Sequence, residues 1–416
     1  MSVVRKPKGH EGAREAWITG SGLISTLGAD HAAQWRALAD PAAQQAAVDS
    51  TNFAPFHVHP MAALDLDRWM PRKPDQRSMG PLMRYGCVAA GMALESAGIL
   101  GDKALLRETH LIVAAGGGER NVPVDEQILG ALDGAPEPEK LLAERLSTDL
   151  RPTLFLAQLP NLFAGNISIV HGVDGSSRTF MGEEAAGVDA VRIALERLGA
   201  GPGVSQGDMF LVGSAYNAAS KDSMLLYQPG GLLLEGPFRP LWRRPAAGMC
   251  RGSAGAFLVI EERGHAEARG ARPLARLTVV LSDHSKRAAG DATRTARRQW
   301  EALKPLLGGS PVPVLSAANG GGTATAEERK LLEDLQREGV VSTVRGIAGA
   351  LGHGMEAAFP ATLALAVICL GEKRLMPPLS PDDPLESAAA GPVERIAVSC
   401  WGHHRGEGLA LVEAVA

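Results

Sequence analysis

The chain has 416 residues, of which 45% are hydrophobic and 21% charged, and a formal net charge of −4. That composition allows a large buried core. The mild acidity offers nothing to attract nucleic acid or an anionic membrane, so neither partner is expected.

Residues 1–15 are basic without an apolar centre and read as a loose tail rather than a signal peptide. No apolar run reaches about 18 residues, so no membrane span is expected. The four cysteines, Cys87, Cys250, Cys369 and Cys400, form no metal-ligand or redox spacing. A reducing, cytoplasmic setting without disulfides follows.

Ala16–Gly20 reads as a strand followed by a Gly/Ser turn, then a helix through Trp35 and Leu38. Leu82–Ala97 is an amphipathic helix stopped by Gly98. Leu111–Ala115 is a buried strand running into Gly116-Gly117-Gly118. Those glycines lack the spacing of a nucleotide fingerprint and read as a plain turn. Leu154–Asn166 is expected to be helical, Ile167–Val173 a strand, and Ala186–Leu198 a helix. Met209–Ala215, Ala254–Glu262, Ala275–Asp283 and Val312–Ala317 read as strands. Arg294–Leu307, Ala326–Glu338 and Ala357–Leu370 read as helices, and Ile396–Ser399 and Gly408–Val415 as a final strand pair. Continuous apolar strands alternating with helices imply mixed sheets covered on both faces. Strand, turn and helix recur in both halves, which suggests a duplicated unit.

One stretch organises the rest, Ser176–Val191, with the sequence SSRTFMGEEAAGVDAV. It reads as a polar turn entering a helix. Such a junction is where α/β enzymes mount a nucleophile, because a helix N-terminus offers free N–H groups and a positive dipole end. Here the junction carries Glu183 and Glu184, not Cys or Ser.

Several segments together resemble the β-ketoacyl-acyl-carrier-protein synthases, condensing enzymes of the thiolase-like fold. They are Trp17–Gly28 (WITGSGLISTLG), Met83–Gly98, Gly236-Pro237-Phe238-Arg239-Pro240, and Gly252–Glu262 (GSAGAFLVIEE) continued by His265–Arg272. The resemblance implies an α/β thiolase-like fold, with duplicated halves, mixed sheets and buried helices in a layered αβαβα arrangement. It places a first half over 16–262 and a second over 263–416. It also implies an acyl carrier protein as partner, a homodimer or a heterodimer with a Cys-containing synthase, and no cofactor or metal.

The family uses a Cys nucleophile and two His. Matching Ala185–Ala190 to the family helix puts Glu184 at the nucleophile. Matching Ala318–Thr323 (ANGGGT) puts Asn319 at the first His. Gly352–Ala358 (GHGMEAA) supplies His353 for the second, and a shifted register would instead use Arg345 and Ala350. The loop that gates the acyl pocket in the family becomes Trp401-Gly402-His403-His404-Arg405-Gly406, so Trp401, His403 and His404 are candidate substrate contacts.

Glu184, Asn319 and His353 are therefore the candidate catalytic residues. An acyl-glutamate would be a reactive anhydride, so ordinary acyl transfer through Glu184 is disfavoured. Asn319 cannot carry a proton at neutral pH. His403 and His404 beside one carboxylate are thin as a metal set, and Cys400 reads as an inert buried thiol.

The resulting expectation is a non-condensing partner subunit of fatty acid biosynthesis. It resembles the chain-length-factor class and the paired synthase-like proteins of very-long-chain fatty acid (lipid A) clusters. The alternative is an enzyme acting on acyl- or malonyl-carrier protein through Glu184, His353 and His403.

Overall fold

Ten strands build the framework: β1 (Ala16–Ser25), β2 (His110–Ala114), β3 (Ser177–Phe180), β4 (Met209–Tyr216), β5 (Ala254–Glu262), β6 (Ala275–Asp283), β7 (Val312–Ser316), β8 (Val341–Gly346), β9 (Arg395–Trp401) and β10 (Glu407–Glu413). In the computed structural model, which describes residues 15–150, 155–198, 207–244, 247–389 and 391–415, they lie in the order β8-β7-β9-β10-β6-β1-β5-β4-β2-β3. The expected N-terminal tail, apart from Glu15, and Leu154 of the expected helix Leu154–Asn166 lie outside the described residues.

The second five strands repeat the order of the first five. Within the first set β2 pairs parallel with β3 and β4, while β5 pairs antiparallel with β4 and β1. Within the second, β7 pairs parallel with β8 and β9, while β10 pairs antiparallel with β9 and β6. The duplication is carried by topology where residue identities are too weak to show it. The two sets meet through two residue pairs, Trp17–Arg276 and Ile18–Ala275.

Six helices complete the layers: α1 (Pro81–Ser96), α2 (Asn161–His171), α3 (Glu183–Leu198), α4 (Asp291–Leu303), α5 (Gly322–Arg337) and α6 (Ala358–Gly371). α3 and α6 pack on each other and touch strands of both halves, so they form the middle layer. α6 accordingly has no polar stripe, and every residue from Ala358 to Leu370 is buried. α1 covers β1, β4 and β5 from outside, and α4 and α5 cover β8, β9 and β10. This is the layered αβαβα arrangement expected for a thiolase-like fold.

Two local expectations are corrected. The apolar run Ile167–Val173 is not a strand. Phe163, Ala164, Ile167 and His171 recur at helical spacing, are buried, and face α1 as part of α2. Gly172, at φ +73°, ends that helix. The strand comes later, as the short polar β3 at the sheet edge.

β1 does not turn after Gly20 but runs on to Ser25. A Cβ at Gly20 would lie 2.2 Å from the Ala93 carbonyl oxygen, and one at Gly22 would lie 2.2 Å from that of Ala89. The glycines there mark a close approach of strand to α1, not a turn.

Candidate active site

β3 ends at Phe180, and the chain then reverses sharply into α3. Gly182 takes φ +138° and Glu183 φ +57°, a left-handed conformation that costs a side-chain-bearing residue about 1–2 kcal/mol. The surrounding layers hold that turn and aim the next side chain inward. Glu184 is 1% exposed, in the first turn of a helix sandwiched between the two half-sheets.

Four donors converge on its carboxylate. His353 Nε2 lies 2.8 Å from Oε1. The His403 backbone N–H donates to Oε1 at 3.1 Å, and His403 Nδ1 lies 3.1 and 3.2 Å from the two oxygens. Asn319 Nδ2 donates to Oε1 at 3.3 Å and to the Trp401 carbonyl at 3.4 Å. Asn319 is itself fixed, because its Oδ1 accepts from the Gly321 N–H at 2.7 Å and from the Thr325 hydroxyl at 3.2 Å. The second half thus supplies every partner of a residue that the first half presents.

Burial works against ionisation of Glu184. The hydrogen bonds and positive charge of His353 and His403 more than offset it and hold the carboxyl below its ordinary range. Burial likewise lowers the His403 imidazole, but its bond to Glu184 and the charges of Glu184 and Glu183 raise it overall. An ionised carboxylate whose Oε1 gathers most of these donors, with Oε2 sharing only His403 Nδ1, is a good electrostatic hub.

The loop Gly402–Gly406 is locked over this hub. Arg287 donates to the carbonyls of Gly402, His404 and Gly406 and pairs with Glu407 at 3.0 Å. Gly402 N–H closes the loop on Gly406 at 2.9 Å.

The structure brings Glu184, Asn319, His353 and His403 together, and His353 rather than Ala350 meets the carboxylate. Arg345 stays away, bonded to the carbonyls of Val344, Met376 and Ser387. Trp401 reaches the site only through its carbonyl, since its side chain packs in the core of the second half. His404 is exposed, with its ring centroid 6.4 Å from that of His403, and it makes none of the bonds to Glu184.

All four cysteines are buried. Burial pushes the Cys250 and Cys369 thiols up to about 12, and burial together with the charges of Glu184 and Glu328 raises Cys400 well above its usual range. Thiols held that far up stay protonated at neutral pH. Ligand atoms of Glu183, Glu184 and His403 lie within 4.8 Å of one another. His403 Nδ1 is committed to Glu184, however, which leaves Glu183 and His403 Nε2, 3.5 Å apart, as the convergent donors.

Beside the hub opens a cavity of about 580 Å³. Gly116–Gly118, Met181–Glu183, Tyr216, Tyr227 and Glu356 contribute to its lining. Sequence reasoning missed Tyr227, whose hydroxyl donates to Glu183 at 3.3 Å, and Glu356, which is 4% exposed. The one signal for Glu356 was a carboxylate inside the apolar GHGMEAA segment. The Gly116–Gly118 turn faces that carboxylate, so it is no cradle for phosphate: a Cβ at Gly116 would lie 2.9 Å from Glu356 Oε1.

Two repeats of one strand order, with the Glu184 carboxylate at the head of the buried helix between them, define a condensing-enzyme scaffold. Residues 6–266 match the family profile described as Beta-ketoacyl synthase, N-terminal domain, and the chain belongs to that family. It is 24% identical over 407 residues to the 3-oxoacyl-[acyl-carrier-protein] synthase 2 of Vibrio cholerae, covering 92% of each chain. It is 24% identical over 404 residues to that of Rhizobium meliloti, covering 89% of this chain and 90% of the relative. Among solved structures, the ishigamide ketosynthase/chain length factor superposes with a TM-score of 0.75 at 20% identity, over 97% of this chain and 100% of that one. A β-ketoacyl synthase from Burkholderia phymatum gives 0.74 at 17%, with the same coverage. At those identities the superpositions speak for the fold.

Proposed function

We propose that the protein is a non-condensing partner subunit of fatty acid biosynthesis, one that pairs with an active synthase and shapes its acyl channel. One observation carries this reading. The nucleophile position holds a buried, ionised Glu184 whose Oε1 is engaged by His353, Asn319 and His403. Thioester formation needs a good leaving group and a free nucleophile at that point, and the site offers neither. Asn319 in place of a His removes proton transfer as well.

The surface beside the site supports pairing. β3 is a sheet edge with an unpaired side, and Met181 (63% exposed) and Leu226 (73%) stand at the rim of the cavity, next to Leu225. Apolar groups of that size flanking an open strand suit a protein partner. The ishigamide neighbour is a ketosynthase with its chain length factor, and another neighbour is a ketosynthase in complex with an acyl-carrier protein. By likeness, the partner here is a Cys-containing synthase or a second copy, and the substrate arrives on an acyl carrier protein. The lipid A setting with very long chains is the narrower form of the same proposal. No helix among the described residues is long and apolar enough to cross a membrane.

A second reading, decarboxylation of malonyl-carrier protein at Glu184, is favoured by the meeting of Asn319 and His353 on one carboxylate. It is opposed by the charge around it, because the malonyl carboxylate would face Glu183, Glu184 and Glu356. The two readings separate in one experiment. The protein is expressed with its neighbouring synthase and also alone, then incubated with malonyl- and acyl-carrier protein while CO₂ release and intact mass are followed. Copurification, with no turnover by the chain alone, is expected. An acyl adduct on Glu184 or Cys400, or CO₂ release abolished by Glu184→Ala, would overturn the partner-subunit reading.

A further inference from the structure

The cavity beside Glu184 has a chemistry unlike that of a channel for a bare acyl chain. Its volume of about 580 Å³ suits a small molecule or the end of a substrate chain. Its lining carries four carboxylates, Glu119, Glu183, Asp222 and Glu356, against one cation, Arg120. That cation is already spent, since Arg120 forms a two-pronged pair with Asp125 at 2.8 and 3.0 Å.

Glu356 is the telling member. It is 96% removed from solvent yet lines the cavity, and no side chain among the described residues donates to it. Its donors are backbone N–H groups, its own and that of Glu183, which leave lone pairs of a buried carboxyl without a proton-bearing partner. Gly116 keeps that carboxyl clear, because any larger residue would press on it. An alkyl chain placed here would strip water from these carboxylates and give nothing back, and a carboxylate ligand would be repelled.

We propose that this cavity binds a protonated amine, carried on a small molecule or on the distal end of a substrate chain, with Glu356 and Asp222 as its acceptors. The proposal deepens the partner-subunit reading and rests on it for the idea that a substrate chain reaches this wall. The ammonium group supplies donors to the ionised form of Glu356, whose carboxyl burial raises to about 7, and offsets the charge of the carboxylates beside it, while the methylene stem lies along Met181 and Leu226 at the rim. Charge-assisted hydrogen bonds of this kind are the stronger class.

The test uses the full-length protein and three probes of equal length, hexylamine, hexanol and hexanoate, with binding followed by calorimetry at neutral pH. Saturable binding of hexylamine is expected, at least tenfold tighter than hexanol, with none for hexanoate. Glu356→Gln, which keeps the shape of the side chain, and Asp222→Asn, which lies nearer the surface, are each expected to weaken the amine about tenfold; unchanged thermal melting shows that both fold. Preference for hexanol or hexanoate, no binding of the amine, or binding untouched by both substitutions would overturn the proposal.

A second arm repeats the titration on the complex with the copurifying synthase. Amine binding lost there would assign the cation to a side chain of the partner and overturn the ligand proposal. Absence of a copurifying synthase would instead count against the partner-subunit reading and leave the amine result standing.

Discussion

His353 Nε2 lies 2.8 Å from Glu184 Oε1, across 169 residues of sequence, and both side chains are 1% exposed. The bond joins the two halves of the fold at the head of the central helix layer. It seals the head of that layer with a buried hydrogen-bonded pair.

Breaking that pair leaves His353 Nε2 and the His403 N–H without their acceptor, and Asn319 Nδ2 with the Trp401 carbonyl alone. Glu184→Ala is expected to lower unfolding free energy by about 3 kcal/mol, because it strips a charged acceptor from several buried donors. Asn319→Ala removes one neutral donor and is expected to cost about 1 kcal/mol. Urea unfolding curves of the three proteins check this order, and an Asn319→Ala loss exceeding that of Glu184→Ala would contradict the hub assignment.

Glu328 and Glu356 are expected to withdraw stability as pH rises from about 5 to 8, against His31 and the buried His59 and His171, whose lowered values add stability as pH rises toward about 6.5. Glu328 is sealed in the second half between the hydroxyls of Ser316 and Ser399, and burial raises its carboxyl to about 7. Burial raises Glu356 to about 7 as well. Unfolded glutamates ionise near about 4.3. Between those values the folded chain keeps protons that the unfolded chain has released, so each group contributes a negative slope of up to about 1.4 kcal/mol per pH unit. His403, raised in the folded state, adds stability below about 6.5 that is lost as pH climbs through its folded value. Glu184 acts in the opposite sense, with stability present at neutral pH and lost only as acid titrates it below about 4. Glu328→Gln is expected to make the slope between pH 5 and 8 less negative in the same urea assay.

Gly22→Ala is expected to destabilise the first half by about 1–3 kcal/mol, the usual range for overpacking. Its methyl group would meet backbone of α1, at the Ala89 oxygen and the Ala93 nitrogen, and backbone cannot rotate aside. Gly98→Ala serves as the comparison: space is open there, and only its φ of +71° resists the change. Its cost is expected near 1 kcal/mol. Equal losses at the two sites in chemical denaturation would contradict the close approach of β1 to α1.

Arg287→Ala is expected to free the Gly402–Gly406 loop while leaving the strands intact. The guanidinium donates to three carbonyls of that loop, and no other side chain among the described residues does so. Hydrogen exchange at Gly402, His403 and Gly406 should accelerate by at least tenfold, with β9 and β10 unchanged. Protection that persists in the variant would show that the loop is held from elsewhere.

The residues themselves determined the class of fold, the elbow at Glu183-Glu184 and the carboxylate it carries. Those follow from local facts: apolar strands and helices in alternation, the turn into α3, and the identity of the side chain placed there. The end of α2, residues 167–171, and the length of β1 were not legible, because Ile and Val in a short run favour a strand locally, and because a glycine signals a turn and a close contact alike. Only the tertiary structure decided that His353, Asn319 and His403 converge on Glu184 while the Trp401 side chain packs in the core, and that Glu356 lines the adjoining cavity. Those outcomes depend on which residues the two half-sheets press together across the central helices. Contacts between groups more than a hundred residues apart leave no trace in local pattern, because the packing that sets them is shared by the whole molecule.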